Sequence, residues 1–218
     1  WIYAAFAEGT ALKRLLIASC VTLWSFRLCS HLLRRFLRLH PVEDARYSDL
    51  RARSPGDFWR RMFRFFQWQG VSIAVLSLPF LWVSRSVEAA MQPLEWTGLG
   101  LWVFGLGFEA IADRQLTRFL LTPGNSGKVC DVGLWSWSRH PNYFGEWLVW
   151  VGYFLMAAAQ PWGWLMGFAP LVMLYLLLEV TGVKFAEEGS LRRRGDAYRA
   201  YQARVSRFLP LPPRKPRA

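Results

Sequence analysis

The sequence predicts an all-α, polytopic integral membrane bundle, and three observations lead there. The 218-residue chain is 53% hydrophobic and holds 13 Trp and 16 Phe, an aromatic load rare in soluble domains of this length. It nevertheless carries a formal charge of +12. Its basic residues lie between long apolar runs, as in the cytoplasmic loops of membrane proteins. A nucleic-acid-binding domain would gather them on one soluble patch. The expected partner is therefore the lipid bilayer and not nucleic acid.

Crossing the hydrocarbon takes about 20 mostly apolar residues in a helix. Five stretches are read as spans: residues 15–33, with Arg27 and His31 in the second half, then 65–83, 96–112, 143–159 and 162–183. A tight turn at Gln160-Pro161 separates the last two. The chain starts at Trp1 without an initiator Met, so one or two spans more, six to seven in all, are expected upstream. Orientation follows from charge. Residues 34–64 contain nine arginines, residues 84–95 only Arg85, residues 113–141 four basic residues, the Gln160-Pro161 turn none, and the tail from Lys184 ten. The alternation places the three basic segments, including the C-terminus, in the cytoplasm, with a bacterial inner membrane as the expected location.

Cys20, Cys29 and Cys130 show no metal-type spacing, and His31, His40 and His140 are scattered, so no metal site is expected. There is no internal repeat, Walker loop or GxGxxG. Gly163 and Gly167 form a GxxxG that would permit close helix packing.

Polar residues cluster in three places at the ends of the apolar runs. The first is SRHPNYFGEW at residues 138–147. Pro141 suits the first position of a helix, whose free N–H groups and dipole favour an anion. Arg139 and His140 stand just ahead of it. Asn142 and Glu146 are one turn apart and share a face, where a polar residue at membrane depth faces a cavity or a partner. The plainer reading has Arg139 reaching lipid phosphates and Asn142 and Glu146 satisfying neighbouring helices. The second cluster is FEAIADRQLTRF. Glu109 and Asp113 share a helix face and suit hydroxyl groups such as those of a ribose; the plainer reading is a salt bridge to Arg139 or Lys128. The third is KFAEEGSLRRRGDAYRAYQARVSRFLP, whose Glu187, Glu188, Tyr198 and Tyr201 accompany an Arg-rich run that also reads as a solvated basic face.

GLWSWSRHPNYFGEW at residues 133–147 resembles the signature of bacterial membrane proteins related to the C-terminal domain of steroid 5-alpha reductases. That superfamily includes sterol reductases and isoprenylcysteine carboxyl methyltransferases. The resemblance extends to EDARYSDLR (43–51), FFQWQG, FEAIADRQLTRF and YRAYQARVSRFLPLPP. It implies one integral membrane domain over residues 1–218, with a cytoplasm-facing cofactor pocket built from residues 96–212. In the reductase branch the cofactor is NADPH and a lipophilic substrate enters from the bilayer. The resemblance implies cofactor contacts at Glu109, Asp113, Lys128, Trp135, Asn142, Tyr143, Glu187 and Tyr201, and the anion site at the helix start adds Arg139 and His140. Lys128 and Arg139 would meet the phosphates, and Tyr143 and Glu146 would be the catalytic residues. The steroid reductases also carry a Gln-Glu pair nearer the N-terminus, where this chain is expected to be truncated or divergent. Trp24 stands at their Tyr position, and Glu179 where a basic residue is expected.

The expected activity is NADPH-dependent reduction of a C=C bond in a lipid- or steroid-like enone. The alternative is an S-adenosylmethionine-dependent methyltransferase acting on a lipid or prenylated substrate. A non-enzymatic membrane protein that retains the fold is the third possibility.

Overall fold

A computed structural model describes residues 1–41, 48, 51, 52, 56–180 and 182–214. The motif at residues 43–51 therefore lies almost entirely outside the described residues. The described residues are helical and contain no β-strand. They form two compact units, residues 1–89 and 90–218.

In the first unit, α1 (Ile2–Phe6) and α2 (Ala11–Leu39) are followed by α3 (Phe58–Leu76) and α4 (Leu78–Ser84). Pro79 in the first turn of α4 separates α3 from α4, because its ring lacks an N–H and clashes with a continuing helix. Ser77 at this break caps back to the Ala74 carbonyl at 2.7 Å and meets the Tyr3 hydroxyl at 2.8 Å. The Thr10 N–H donates to the Ser86 carbonyl at 2.9 Å. Phe26, Leu33, Phe63, Trp68 and Ile73 are exposed, an apolar surface that suits contact with lipid.

The second unit is built on α5 (Pro93–Leu121) and α6 (Pro141–Ala158), which run antiparallel. A capping box starts α5: the Gln92 N–H donates to Glu95 at 2.8 Å, and Pro93 occupies the first turn. Glu95 also accepts from Gln160 at 3.1 Å, which ties the start of α5 to the end of α6. Four glycines set the contact. A Cβ on Gly98 would lie 2.7 Å from the Gly152 carbonyl oxygen, and one on Gly105 would lie 2.8 Å from that of Gly145. Glycines seven apart on each helix thus form a seam where the backbones touch, packing of the kind membrane helices use. The Gly163/Gly167 pair plays no such part. It lies in a 3₁₀ turn (Gly163–Gly167), with Gly163 against the Ala157 carbonyl. Trp102, Val149, Tyr153 and Met156 bury beside the seam.

After the turn come α7 (Phe168–Tyr175), a π turn (Leu176–Val180) and α8 (Val183–Arg204), whose course breaks at Gly195, φ 51°. Three stretches are long and apolar enough to cross a membrane among the described residues: Ala11–Leu37, Phe58–Ser84 and Gly163–Arg204. Two of the five spans expected from sequence, 96–112 and 143–159, are realised as α5 and α6 but fall outside that set. Gly and Trp dilute the hydropathy of α5, and Asn142, Glu146 and four Trp or Tyr residues dilute that of α6.

The seam makes a prediction. Gly105→Ala and Gly152→Ala should destabilise the protein by about 1–3 kcal/mol through overpacking. Gly100→Ala and Gly107→Ala, where a Cβ meets nothing within 4 Å, should be neutral or stabilising, since Ala favours helix over Gly. Thermal unfolding in detergent measures the difference, and equal melting temperatures for the two pairs would remove the seam.

Candidate active site

The seam brings the polar turns of α5 and α6 together. Glu109 and Asp113, one turn apart on α5, are both buried. A Cβ on Gly145 would touch the Glu109 backbone nitrogen at 2.7 Å, so the helices have no room between them at this level. Asn142 Nδ2 donates to Asp113 Oδ1 at 3.2 Å. Its carbonyl oxygen, Oδ1, is buried and accepts no hydrogen bond. One turn on, buried Glu146 accepts from Trp150 Nε1 at 2.9 Å. The group is thus rich in acceptors.

A second set of contacts fixes the entrance to α6. Arg139 donates from Nε to Glu187 at 2.6 Å, and from Nη1 to the carbonyls of Gln202 and Val205 at 2.9 and 3.0 Å. Gln202 Nε2 donates to the other Glu187 oxygen at 3.1 Å. His140 Nε2 lies 3.4 Å from Glu187, and the ring stacks on Tyr143 with centroids 5.5 Å apart and planes 7° from parallel. The anion expected at the basic entrance to α6 is thus supplied by the chain's own Glu187. The salt bridges from Glu109 and Asp113 to Arg139 or Lys128 do not form: Arg139 pairs with Glu187, and Lys128 is exposed, its carbonyl accepting from Arg194 at 2.8 Å.

The C-terminal segment closes over this entrance. Ser206 pairs with Ser138 in a parallel bridge, with the Arg139 N–H on the Ser206 carbonyl at 2.9 Å. The Ser138 hydroxyl donates to the Phe208 carbonyl at 2.7 Å, and the Leu211 N–H to the Trp137 carbonyl at 3.0 Å. Trp135 Nε1 donates to the Ala112 carbonyl at 2.9 Å, and the Tyr201 hydroxyl to the Trp135 carbonyl at 2.5 Å. Both side chains, expected at the cofactor, have their polar atoms engaged with backbone. Gly133, φ 58°, lets this turn form against the Gln115 side chain, whose Oε1 accepts the Leu134 N–H at 2.9 Å.

Of the residues singled out from sequence, Glu109, Asp113, Asn142 and Glu146 lie along the facing turns of α5 and α6. Arg139, His140, Tyr143 and Glu187 form a second set joined by bonds and stacking. Trp135 and Tyr201 buttress the turn before α6, and the exposed Lys128 side chain joins neither set. Gln202 was missed, since a residue 63 positions from Arg139 leaves no local signal of pairing. Among the described residues no three His, Cys, Asp or Glu side chains gather for a metal.

Residues 1–205 match the family described as "Protein of unknown function (DUF1295)". The chain belongs to this family. DUF1295 is a steroid 5-alpha reductase-like membrane family. "Uncharacterized protein C594.04c" of Schizosaccharomyces pombe is 26% identical over 235 residues, covering 96% of this chain and 67% of that protein. No solved structure matches the chain.

Two outcomes follow for the entrance. Glu187→Gln leaves a largely buried Arg139, 10% exposed at its side chain, without its counter-charge, and should cost about 3 kcal/mol of stability. For His140, burial lowers the imidazole pKa from its ordinary value of about 6.5, while neighbouring Glu187 acts in the opposite direction. The folded protein then resists a proton that the unfolded chain accepts. The His140 contribution is complete above about pH 6.5 and is lost as pH falls below it. Melting temperature should therefore drop between pH 7 and 5 more steeply in wild type than in His140→Gln; parallel profiles would show that His140 takes no part.

Proposed function

We propose that the protein is a membrane reductase that uses NADPH to saturate a C=C bond in a lipid- or steroid-like enone. The observation that carries this reading is the buried Asn142 Oδ1, which lacks a donor beside Asp113. A buried acceptor left unbonded is costly, and a carboxamide N–H₂ or a ribose hydroxyl would satisfy it. Glu109, Asp113 and Glu146 add carboxylates for further hydroxyl groups, so the side chains present fit a nicotinamide riboside. Bound there, NADPH supplies a hydride, which together with a proton saturates the double bond.

The chain's own residues then have distinct tasks. Asp113 orients the Asn142 amide, and the Asn142 carbonyl oxygen faces the ligand's donor. Tyr143, half-buried and stacked on His140, holds a hydroxyl able to deliver a proton. Glu146, fixed by Trp150, orients the substrate or cofactor beside it. Arg139 and Glu187 bind the C-terminal segment over the entrance and limit water there. Five spans with a cytoplasmic C-terminus and a lipid-side entry for the substrate complete the proposal.

One observation favours a second reading, the S-adenosylmethionine-dependent methyltransferase. Three buried carboxylates, Glu109, Asp113 and Glu146, gathered along the facing turns of α5 and α6, suit a sulfonium cation as well as hydroxyls. Equilibrium binding of both ligands to purified protein separates the readings. NADPH should bind, and Asp113→Asn and Glu109→Gln should weaken it by about one to two decades, the effect of one charge-assisted hydrogen bond, with little loss of melting temperature. Adenosylmethionine binding in the absence of NADPH binding would replace the reductase with the methyltransferase.

A further inference from the structure

The C-terminal segment that crosses Arg139 encloses a cavity of about 270 Å³, apart from the acceptor group of α5 and α6. Arg139, Arg204, Arg207 and Arg214 line it, together with Gln202 and Ser206, and no acidic side chain does. The carboxylates paired with three of these arginines belong to residues outside the lining: Glu187 with Arg139 at 2.6 Å, Asp131 with Arg204 at 3.1 Å, and Glu179 with Arg207 at 3.2 Å. Each pairing leaves guanidinium N–H groups unused. Arg139 engages Nε and Nη1, and its Nη2 makes no hydrogen bond. Arg204 bonds Asp131 through Nη2 alone. The Arg214 backbone N–H, bonded to the Arg204 carbonyl at 2.9 Å, holds that residue at the cavity, and its guanidinium forms no ion pair among the described residues.

We propose that this cavity is a phosphate-binding site, distinct from the cofactor site and independent of the reductase reading. Guanidinium groups match phosphate oxygens with paired N–H donors, and four of them without a carboxylate in the lining concentrate positive potential in one concavity. Pockets for drug-sized ligands run from roughly 300 to 1,000 Å³, so this cavity suits a headgroup-sized anion better than a whole dinucleotide. The phosphate comes either from a lipid headgroup or from a soluble phosphorylated ligand. Leu211, which lines the cavity and is 51% exposed, offers an apolar border for acyl chains.

The test uses the full chain in neutral detergent. One arm adds phosphatidylglycerol, with diacylglycerol as the tail-matched control, and counts retained lipid by native mass spectrometry. The other titrates inorganic phosphate against chloride at matched ionic strength and follows melting temperature. Binding of phosphatidylglycerol over diacylglycerol identifies a lipid headgroup; stabilisation by inorganic phosphate without lipid retention identifies a soluble ligand. In either case Arg214→Gln, whose side chain holds no ion pair in the fold, and Arg204→Gln should each weaken binding about tenfold or more. Binding in neither arm, or binding that both variants leave within about twofold, overturns the proposal.

Discussion

Gly98 against Gly152 and Gly105 against Gly145 allow α5 and α6 to meet backbone to backbone, and the polar chemistry of the second unit depends on that approach. Any side chain at those positions would push the helices apart. Asp113 and Asn142, which lie one to two turns beyond the Gly105–Gly145 contact, would then separate by more than a hydrogen bond can span. The same approach leaves Glu109 and Asp113 buried where water cannot solvate them. Such groups are costly in an apolar setting, and carboxylates kept on facing turns of a membrane-type bundle have the character of a site.

The Arg139–Glu187 pair answers a different need. The segment after α8 has little regular structure, so it requires fixed points to stay over the entrance of α6. Arg139 supplies several at once, through Glu187, the Gln202 and Val205 carbonyls and its own N–H on Ser206. Phe208 then packs on Phe144 and Trp147, with centroids 5.7 and 6.0 Å away, so the polar clamp is backed by an apolar one. The charges of Arg139 and Glu187 are compensated at close range, and Arg139 also lines the cavity it shares with Arg204, Arg207 and Arg214.

The helical class was legible in composition and hydropathy, and the start of α6 was legible to the residue because Pro141 reads as a first-turn proline. Glu109 and Asp113 were recognisable as one face from their spacing alone. Span number was harder to read, because α5 and α6 carry glycines and polar groups that lower hydropathy while serving the seam. The Gly163/Gly167 spacing takes no part in that seam: local spacing signals helix packing only inside a helix, and these two fall in a turn. The role of Arg139 was hidden by sequence distance, since Glu187 lies 48 residues away. For the same reason Arg204 and Arg207 read as part of a solvated basic face, although the fold places them with Arg139 and Arg214 around one cavity.

The proposed cofactor site rests on the seam, the acceptor group and the clamp together, and above all on the buried Asn142 Oδ1. The most direct measurement is the identity of the small molecule released when protein purified gently from its native membrane is denatured and its supernatant analysed by mass spectrometry. The account predicts an NADP dinucleotide in stoichiometric proportion, and its loss from an Asn142→Leu preparation that still melts cooperatively. Release of adenosylmethionine instead, or a protein that carries no dinucleotide even after loading with excess NADPH, would contradict it.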